Sequence, residues 1–377
     1  MINKKNVLIN FHTSNTGGVI NFKLNYLKEI NSLAKKYNFK IFVLIGDHEK
    51  NVKKYSNLNI IKNIEIPKSF IEKFFFYEFR LKKIVLKNKI SLLFNFGDIS
   101  ANITNSKQIF YFDWPYAVYD ELSIWKRLNM KDFFSKLLKR IYFFLTISRV
   151  DQVIVQTNTM KKRLSKKIHK EIKIIDVGYQ KKKLLKNNYY SKNTTNLKEK
   201  IFIYPTVYYP HKNIEILIEV AKKIKSNNLK IKFALTFDKR GKIEKGVIKK
   251  IKNLSLEGQF IFLGFLSRND LNIQIQKSYA IIMPTLIETY GLQYSDALIF
   301  NKLILTSDKD FAHEICRDAA IYFNPVSSND IYLKILKSIN DQRLIKKHLV
   351  LQKKILKGKI SWKDSANQIL KSGSQLL

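Results

Sequence analysis

The sequence of 377 residues holds a single cysteine, Cys316, and therefore cannot form an intramolecular disulfide. A chain of this kind is expected in a reducing compartment, with its lone thiol buried as a small apolar side chain. Long apolar runs are missing too, since none approaches the roughly 18 residues that a membrane-spanning helix needs. No apolar leader precedes the first predicted strand, at residues 7–11. These absences predict a globular cytoplasmic protein that is peripheral on a membrane at most.

Acidic residues are scarce compared with basic ones. The chain has 69 lysines and arginines against 30 aspartates and glutamates, which gives a formal net charge of +39. This excess favours a polyanionic partner, such as nucleic acid, an anionic membrane surface or a phosphorylated substrate. The lysines are spread over the whole chain, so part of the charge reflects general composition. Zinc-ligand spacing, a basic region with heptads and RNP-like aromatic strands are all absent, and we expect no nucleic-acid partner.

Strand-like and helix-like segments alternate in the first half of the chain. A strand at residues 7–11, a helix over about 20–37 and a strand at 40–45 form a βαβ unit. This order is typical of a parallel, doubly wound sheet. Gly17 and Gly18 lie in its first turn, where glycines let the backbone approach a phosphate, although an ordinary tight turn carries equal weight.

Two basic helices are predicted in the same half, over residues 70–89 and 125–146. The first has aromatic residues 74–76 and Phe79 among its lysines. We expect these aromatics to face the core, although the same mixture is typical of helices that lie on anionic lipid. Between the two helices, the strand at residues 108–112 ends in Asp113, at the carboxyl edge where α/β proteins place their ligands.

The chain length and a polar segment indicate two domains. A domain typically takes about 100–200 residues. Residues 181–200 are rich in Asn, Ser, Thr and Lys without periodicity, which predicts a linker. A second alternation of strands and helices follows. We therefore expect one α/β domain over residues 1–185, a second over 195–355 and a C-terminal segment at 356–377.

The most informative stretch is residues 284–298, with the sequence Pro-Thr-Leu-Ile-Glu-Thr-Tyr-Gly-Leu-Gln-Tyr-Ser-Asp-Ala-Leu. It follows an apolar strand and opens a helix, so unpaired backbone N–H groups and the positive end of a helix dipole point into the loop. That environment suits a phosphate, and Gly291 permits close approach to the backbone. The acids Glu288 and Asp296 bracket the turn, where each can reach hydroxyl groups beside a bound diphosphate.

A second loop, after the strand at residues 201–204, carries His211 and Lys212 at the start of another helix. Lys212 and the helix N-terminus together can neutralise a diphosphate leaving group. His211 has an equally good structural explanation. An ordinary solvated lysine is the alternative for Lys212, because lysines are abundant throughout the chain.

The segment from Glu288 to Asp296 resembles the Glu-x7-Glu signature of retaining glycosyltransferases of family 4, usually E-G-F-G-L-P-x-x-E. Glu288, Gly291 and Leu292 agree with that signature, and Tyr290 replaces its Phe conservatively. The departures stand where the family has Gly, Pro and the second Glu: Thr289, Gln293 and Asp296. Residues 264–267 also resemble the family's G-x-[LV]-[ST] turn near the nucleotide base. Thr206 and Val207 stand where the family has an Arg for the diphosphate, and Lys239 or Arg240 are candidates to replace it.

The resemblance implies a GT-B fold, in which two Rossmann-like, doubly wound domains enclose a cleft. The N-terminal domain would bind the acceptor and the C-terminal domain a nucleotide-diphosphate sugar, with no cofactor and no metal. The last segment, 356–377, would return to the N-terminal domain as a helix. No Asp-x-Asp motif stands where a metal–diphosphate site would need one, in agreement with this implication.

The resemblance also implies residue roles. The catalytic assignments are Lys212 on the diphosphate, Glu288 on the sugar hydroxyls and Asp113, where relatives often carry a His. Asp296 would hold the ribose. The implied donor-binding set comprises Gly17, Gly18, Lys212, Gly264, Glu288, Thr289, Tyr290, Gly291, Leu292 and Asp296.

The expected activity is transfer of a hexose to a glycan or a lipid-linked acceptor, in bacterial surface polysaccharide or lipopolysaccharide synthesis. An anionic membrane surface, reached from the cytoplasmic side, is a further expected partner. Fold alone does not exclude a sugar-nucleotide epimerase or a phosphorylase. A non-enzymatic polyanion-binding protein is the remaining alternative, favoured by the charge of +39.

Overall fold

The computed structural model describes residues 4–13, 18–46, 55–62, 65–67, 69–97, 99–179, 199–237 and 242–377, without the side chains of 242 and 243. The chain divides into two compact units. The N-terminal unit comprises Met1–Gln180 together with Ile360–Leu377, and the C-terminal unit comprises Lys181–Lys359. The predicted linker at 181–200 lies almost wholly outside the described residues.

The N-terminal unit is built on a 7-stranded parallel sheet with strand order β3-β2-β1-β4-β5-β6-β7. The inner strands are apolar on both faces because helices cover each side of the sheet. For example, every residue of β4 is buried. The strands are β1 (Lys5–Asn10), β2 (Phe39–Leu44), β3 (Leu58–Ile61), β4 (Leu92–Asn95), β5 (Lys107–Tyr111), β6 (Gln152–Val155) and β7 (Ile172–Ile174).

Some helices of this unit start at polar caps where a side chain accepts from the backbone. Ser69 accepts from the N–H of Glu72, and Asn129 accepts from the N–H of Asp132. A π-helical turn, Phe76–Arg80, separates α2 from α3. The helices are α1 (Gly18–Leu33), α2 (Phe70–Phe75), α3 (Leu81–Lys87), α4 (Leu122–Trp125), α5 (Met130–Thr146) and α6 (Asn158–Ser165).

The C-terminal helix (Trp362–Leu376) packs against α1 in the N-terminal unit. The Ser365 hydroxyl lies 2.6 Å from the Tyr26 hydroxyl, and the Trp362 ring meets the Tyr26 ring edge-on at 5.2 Å. Gly373 allows this helix to approach the sheet, because an added Cβ would lie 2.4 Å from the Phe94 ring. The helix thus completes the hydrophobic core of the unit in which the chain begins.

The C-terminal unit contains a 6-stranded parallel sheet with strand order β10-β9-β8-β11-β12-β13. Its strands are β8 (Lys200–Tyr204), β9 (Ile231–Leu235), β10 (Phe260–Phe262), β11 (Ala280–Met283), β12 (Leu303–Ser307) and β13 (Ile321–Phe323). Its helices are α7 (Glu215–Ser226), α8 (Lys242–Asn253), α9 (Arg268–Lys277), α10 (Leu292–Phe300), α11 (Asp310–Cys316), α12 (Ser328–Asn340) and α13 (Gln342–Lys357). The two parallel sheets confirm the predicted α/β class with two Rossmann-like domains.

The burial of Cys316 and of the aromatic cluster was predicted from the sequence. Cys316 is fully buried, as expected of a lone thiol in a reducing compartment. The aromatic cluster of the first basic helix only partly faces the core: Phe76 is buried, whereas Phe75 and Phe79 are each 53% exposed. The prediction for these two rings was wrong, because the π-helical turn directs Phe76 and Tyr77 inward and leaves its neighbours at the surface. Within the described ranges, no helix has both the length and the apolar character needed to span a bilayer.

Lys302 is a buried cation in the C-terminal unit. Its Nζ donates to the carbonyl oxygens of Gln276 at 2.6 Å and Ser278 at 2.7 Å, at the carboxyl end of α9. Carbonyl groups at a helix C-terminus attract a cation. Burial nevertheless dominates and lowers the pKa of Lys302 from 10.5 to about 8.

We expect the C-terminal unit to gain stability as the pH rises from about 8 to about 10. The unfolded chain keeps the Lys302 proton up to pH near 10.5, whereas the folded protein releases it near pH 8. Lys302→Met removes this contribution. Over this pH range, the free energy of unfolding of the variant should therefore rise by about 2–3 kcal/mol less than that of the wild type. Urea titrations at both pH values measure the difference. Lys232→Met, on β9, is the control, and equal pH dependence of wild type and Lys302→Met would contradict the assignment.

Candidate functional site

Two loops of the C-terminal unit meet at the carboxyl edge of its sheet. They follow β8 and β11, which are parallel neighbours in the sheet. The chain leaves β8 toward β9 on one side and returns as β11 on the other, so the strand order reverses here. A crevice at such a reversal is where open α/β sheets bind ligands. The N–H of Leu286 donates to the carbonyl of His211 at 2.8 Å and joins the loops directly.

Asn213 holds the two loops together. Its backbone is left-handed, with φ of 57°, a conformation that Asn tolerates better than most residues. Its side-chain amide donates to the carbonyls of Pro284 at 3.1 Å and Pro325 at 2.7 Å. Sequence reasoning assigned no role to this residue, because its acceptors lie 71 and 112 positions away in the chain.

Lys212 and Glu288 form an ion pair across the loops. Their side chains are only 10% and 11% exposed. Burying two charges costs several kcal/mol each, and their attraction offsets this cost only when both partners are present and well placed. The pair therefore places one nearly buried cation and one nearly buried anion at the carboxyl edge of the sheet.

Gly291 shapes the turn that leads into α10. Its φ is 81°, which is in the left-handed region. An added Cβ would lie 2.8 Å from the ring of Tyr294, so a larger residue would both strain the backbone and collide. As the N-cap residue of α10, Gly291 has no side chain to cap the helix. The turn therefore presents the helix end to the loop between Glu288 and Leu292, an arrangement that suits an anion.

Asp296 is engaged by a residue that sequence reasoning missed. The Arg268 guanidinium holds its carboxylate in a bidentate contact, with Nη1 at 2.9 Å from Oδ2 and Nη2 on Oδ1. Asp296 is buried, whereas the Arg268 side chain is 38% exposed. Arg268 follows Ser267, the residue that caps α9. The only sequence signal for Arg268 was its position directly after the Gly-Phe-Leu-Ser turn at residues 264–267.

Two buried tyrosines lie beneath the ion pair. Tyr204 donates to the carbonyl of Lys212 at 3.3 Å, and the Tyr294 hydroxyl lies 2.7 Å from that of Thr306. Burial raises the pKa of both phenols, and the negative charge of Glu288 raises them further. Both phenols are therefore neutral at physiological pH and contribute hydrogen bonds rather than charge to the floor of the site.

The remaining predicted site residues are distributed between the two units. Gly264, with φ of 68°, lies in the C-terminal unit after β10. A Cβ added to it would have no neighbouring atom within 4 Å. Asp113 and Gly18 belong to the N-terminal unit, where Asp113 follows β5 and Gly18 begins α1. Gly17 and the candidate cations Lys239 and Arg240 lie outside the described residues. Across the described ranges, no three His, Cys, Asp or Glu side chains come close enough together to hold a metal ion.

Comparison with known proteins finds a family similarity in the C-terminal unit. Residues 185–355 match the model of the family described as Glycosyl transferases group 1. This region includes Lys212, Asn213, Arg268, Glu288 and Asp296. The whole C-terminal site therefore lies within the family match.

Individual relatives are distant. The O-antigen chain mannosyltransferase RfbU of Salmonella typhimurium is 26% identical over 193 residues, which is 51% of this chain and 52% of that protein. The serotype-specific mannosyltransferase WbdA of Escherichia coli is 23% identical over 262 residues, 66% of this chain and 31% of that protein. The chain thus spans about half the length of the first relative and less of the second.

A solved structure extends the likeness to the whole chain. Sucrose-phosphate synthase from Thermosynechococcus elongatus aligns with a TM-score of 0.77 at 14% identity and covers 99% of each chain. At this identity the likeness shows the fold alone. The fold is the GT-B arrangement of two parallel-sheet, Rossmann-like domains, as the sequence analysis predicted.

The buried ion pair generates a stability prediction. Lys212→Met leaves Glu288 buried without its partner and should lower the free energy of unfolding by about 3–5 kcal/mol. Glu288→Gln should be destabilising for the same reason. The double variant Lys212→Met/Glu288→Gln should lose clearly less than the sum of the two single variants. Chemical denaturation of all four proteins measures the coupling.

A matched cycle on an exposed pair provides the control. Lys232 and Glu199 lie 2.9 Å apart with side chains 32% and 40% exposed. Their coupling should stay below about 1 kcal/mol, as is usual for surface ion pairs. Additive effects at Lys212 and Glu288 would show that their contact contributes nothing to the folded unit.

Proposed function

We propose that this chain is a glycosyltransferase that moves a hexose from a nucleotide-diphosphate sugar to a glycan or lipid-linked acceptor. The observation that carries the proposal is the buried Lys212–Glu288 pair at the strand-order reversal of a parallel sheet. It lies inside the region that matches the family Glycosyl transferases group 1. Two relatives that are named as O-antigen and serotype-specific mannosyltransferases support synthesis of bacterial surface polysaccharide or lipopolysaccharide.

In this proposal the diphosphate binds between Lys212 and the N-terminus of α10. The bond from the anomeric carbon to the phosphate oxygen breaks in the reaction, so negative charge grows on the departing diphosphate. A preorganised cation and helix end stabilise that charge more in the transition state than in the ground state. Glu288 accepts hydrogen bonds from sugar hydroxyls and keeps the Lys212 ammonium aimed at the phosphate.

We further propose retention of configuration by front-face displacement. The acceptor hydroxyl approaches the anomeric carbon from the side that the diphosphate leaves. The acceptor oxygen forms the new bond to carbon, and its proton passes to the departing phosphate oxygen. The protein supplies charge stabilisation and positioning and needs no nucleophile of its own. The proposal includes metal independence, with Lys212 carrying the positive charge that a metal would otherwise supply.

Asp296 is proposed to accept hydrogen bonds from the ribose hydroxyls. The bidentate contact from Arg268 uses one lone pair on each carboxylate oxygen and leaves further acceptor capacity on both. Arg268 also fixes the carboxylate in one orientation, which compensates for the shorter side chain of Asp relative to the family's Glu. Asp113 of the N-terminal unit is proposed to act near the sugar, in place of the His found in related enzymes.

We propose a donor sugar and a setting on the basis of the same comparisons. The names of both relatives specify mannose, so a mannosyl nucleotide is the first donor to test, followed by other hexoses. An acceptor carried on lipid would bring the enzyme to the cytoplasmic face of the membrane. We propose that the protein works there as a peripheral enzyme.

Donor turnover tests the proposal directly. We expect release of nucleoside diphosphate and transfer of labelled hexose in the presence of excess EDTA. Lys212→Met should lower kcat on the order of 10²-fold or more, because it removes a preorganised charge that stabilises the departing diphosphate. Lys232→Met, outside the site, is the control for nonspecific loss of charge.

Three outcomes would contradict this assignment. Near-normal kcat in Lys212→Met would remove that residue from the reaction. Loss of activity in EDTA that Mg²⁺ or Mn²⁺ restores would exclude metal independence. Interconversion of sugar nucleotides without release of nucleoside diphosphate would identify an epimerase instead.

The ribose contact has its own test. Wild-type protein should bind a nucleoside diphosphate more tightly than its 2′,3′-dideoxy analogue, since the analogue cannot donate the proposed hydrogen bonds to the Asp296 carboxylate. The difference should be about 1–3 kcal/mol, the usual contribution of hydrogen bonds to a charged group. Asp296→Ala should abolish this discrimination, and Asp296→Glu should retain it. Calorimetric titration gives the affinities, and equal discrimination by wild type and Asp296→Ala would disprove the ribose role.

A further inference from the structure

The surface of α5 reverses the usual pattern of an amphipathic helix. Phe134, Leu138, Ile141 and Leu145 are 52%, 51%, 49% and 71% exposed. Their spacing of four, three and four residues places them on one side of the helix. The basic residues of α5 other than Lys131 are less exposed than this stripe. The most exposed side of the helix is therefore apolar.

A second apolar stripe runs along α2, the π-helical turn and α3. Ile71, Phe75, Phe79 and Leu86 are 66%, 53%, 53% and 53% exposed. The rings of Phe75 and Phe79 lie 5.9 Å apart, so they form one continuous patch. Single exposed apolar side chains are ordinary, but a run of them along a helix marks an interaction surface.

Aromatic contacts and hydrogen bonds join the two stripes into one surface. Phe74 packs against Tyr142 of α5 at 5.4 Å, and Phe70 does so at 5.9 Å. The buried carboxylate of Glu78, in the π-helical turn, accepts from Tyr142 and Arg149. These contacts hold the helices together, so the surface is preformed. We call it the apolar platform, comprising Ile71, Phe75, Phe79, Leu86, Phe134, Leu138, Ile141 and Leu145.

The helices that carry the apolar platform are basic. The segments Phe70–Lys87 and Met130–Thr146 together contain nine basic and three acidic residues. Lys139 lies 4.2 Å above the ring of Trp114, and Lys136 lies 4.8 Å above that of Tyr116. Exposed apolar side chains on basic helices match an anionic lipid surface, whose acyl chains lie beneath charged headgroups. A second copy of the chain would bring the same positive charges together.

We infer that the apolar platform inserts its side chains into the headgroup region of an anionic phospholipid bilayer. This inference rests on the proposed function only for its purpose, which is to bring the enzyme to a lipid-linked acceptor. The insertion itself needs neither donor nor acceptor. Insertion also differs from electrostatic attraction between a generally basic surface and the bilayer, because apolar side chains of defined helices move from water into the lipid.

A tryptophan placed on the apolar platform tests insertion. Leu138→Trp and Leu333→Trp form a matched pair, since both leucines are 51% exposed on helices, one on the platform and one on α12. With vesicles of phosphatidylcholine and phosphatidylglycerol, emission of the Leu138→Trp protein should shift to shorter wavelength and be quenched by brominated acyl chains. Each signal is read as the difference from wild type, which contains three tryptophans. The Leu333→Trp protein should show neither change.

A binding measurement provides the second arm. Phe79→Ser/Leu138→Ser should lower the vesicle partition coefficient at least tenfold, whereas the control Leu333→Ser/Val350→Ser should leave it unchanged. Wild type should retain binding in salt that screens surface charges, because apolar burial is not screened. Circular dichroism verifies that all variants are folded.

Distinct outcomes would overturn the inference. Equal responses of the two tryptophan variants, or binding that disappears fully in salt, would reduce the contact to general electrostatic attraction. A blue shift of the Leu138→Trp protein without vesicles that grows with protein concentration would identify a second copy as the occupant. Lack of glycosyl transfer would leave all of these measurements intact, so failure of the proposed function and failure of insertion are distinguishable.

Discussion

The buried contact between Lys212 and Glu288 is the constraint on which the arrangement of the site depends. Neither charge is stable in that position without the other, so the loops after β8 and β11 must keep a fixed separation. Asn213 and the Leu286–His211 hydrogen bond supply that separation through backbone carbonyls and an amide rather than through further charges. The parallel pairing of β8 with β11 then sets both loops at one edge of the sheet.

Local patterns in the sequence were sufficient to predict part of the candidate site. The apolar strand, Gly291 and the following helix predicted the turn at the start of α10, because each acts within a few residues of its neighbours. Asn213 and Arg268 escaped notice because their partners lie 71 or more and 28 residues away, respectively. Phe75 and Phe79 were assigned to the core because aromatic content alone does not distinguish a buried face from an exposed one. The π-helical turn that separates these faces has no sequence signature of its own.

The basic side chains described in the two units have different kinds of partner. In the C-terminal unit, Lys212 and Arg268 are each paired with a carboxylate. In the N-terminal unit, lysines stand over aromatic rings beside exposed apolar side chains. A net charge of +39 is thus uninformative as a single number, whereas the partner of each cation indicates what it does.

The C-terminal helix determines when the N-terminal unit can finish folding during synthesis. Residues 360–377 complete the core of the N-terminal unit, so the C-terminal unit is an insertion within it. During synthesis, residues 181–359 emerge whole and can fold as a unit while the N-terminal unit still waits for its last helix. Tyr26 and Phe94, which that helix covers, stay uncovered for this interval. The N-terminal unit is therefore completed only after residues 181–359 have been synthesised.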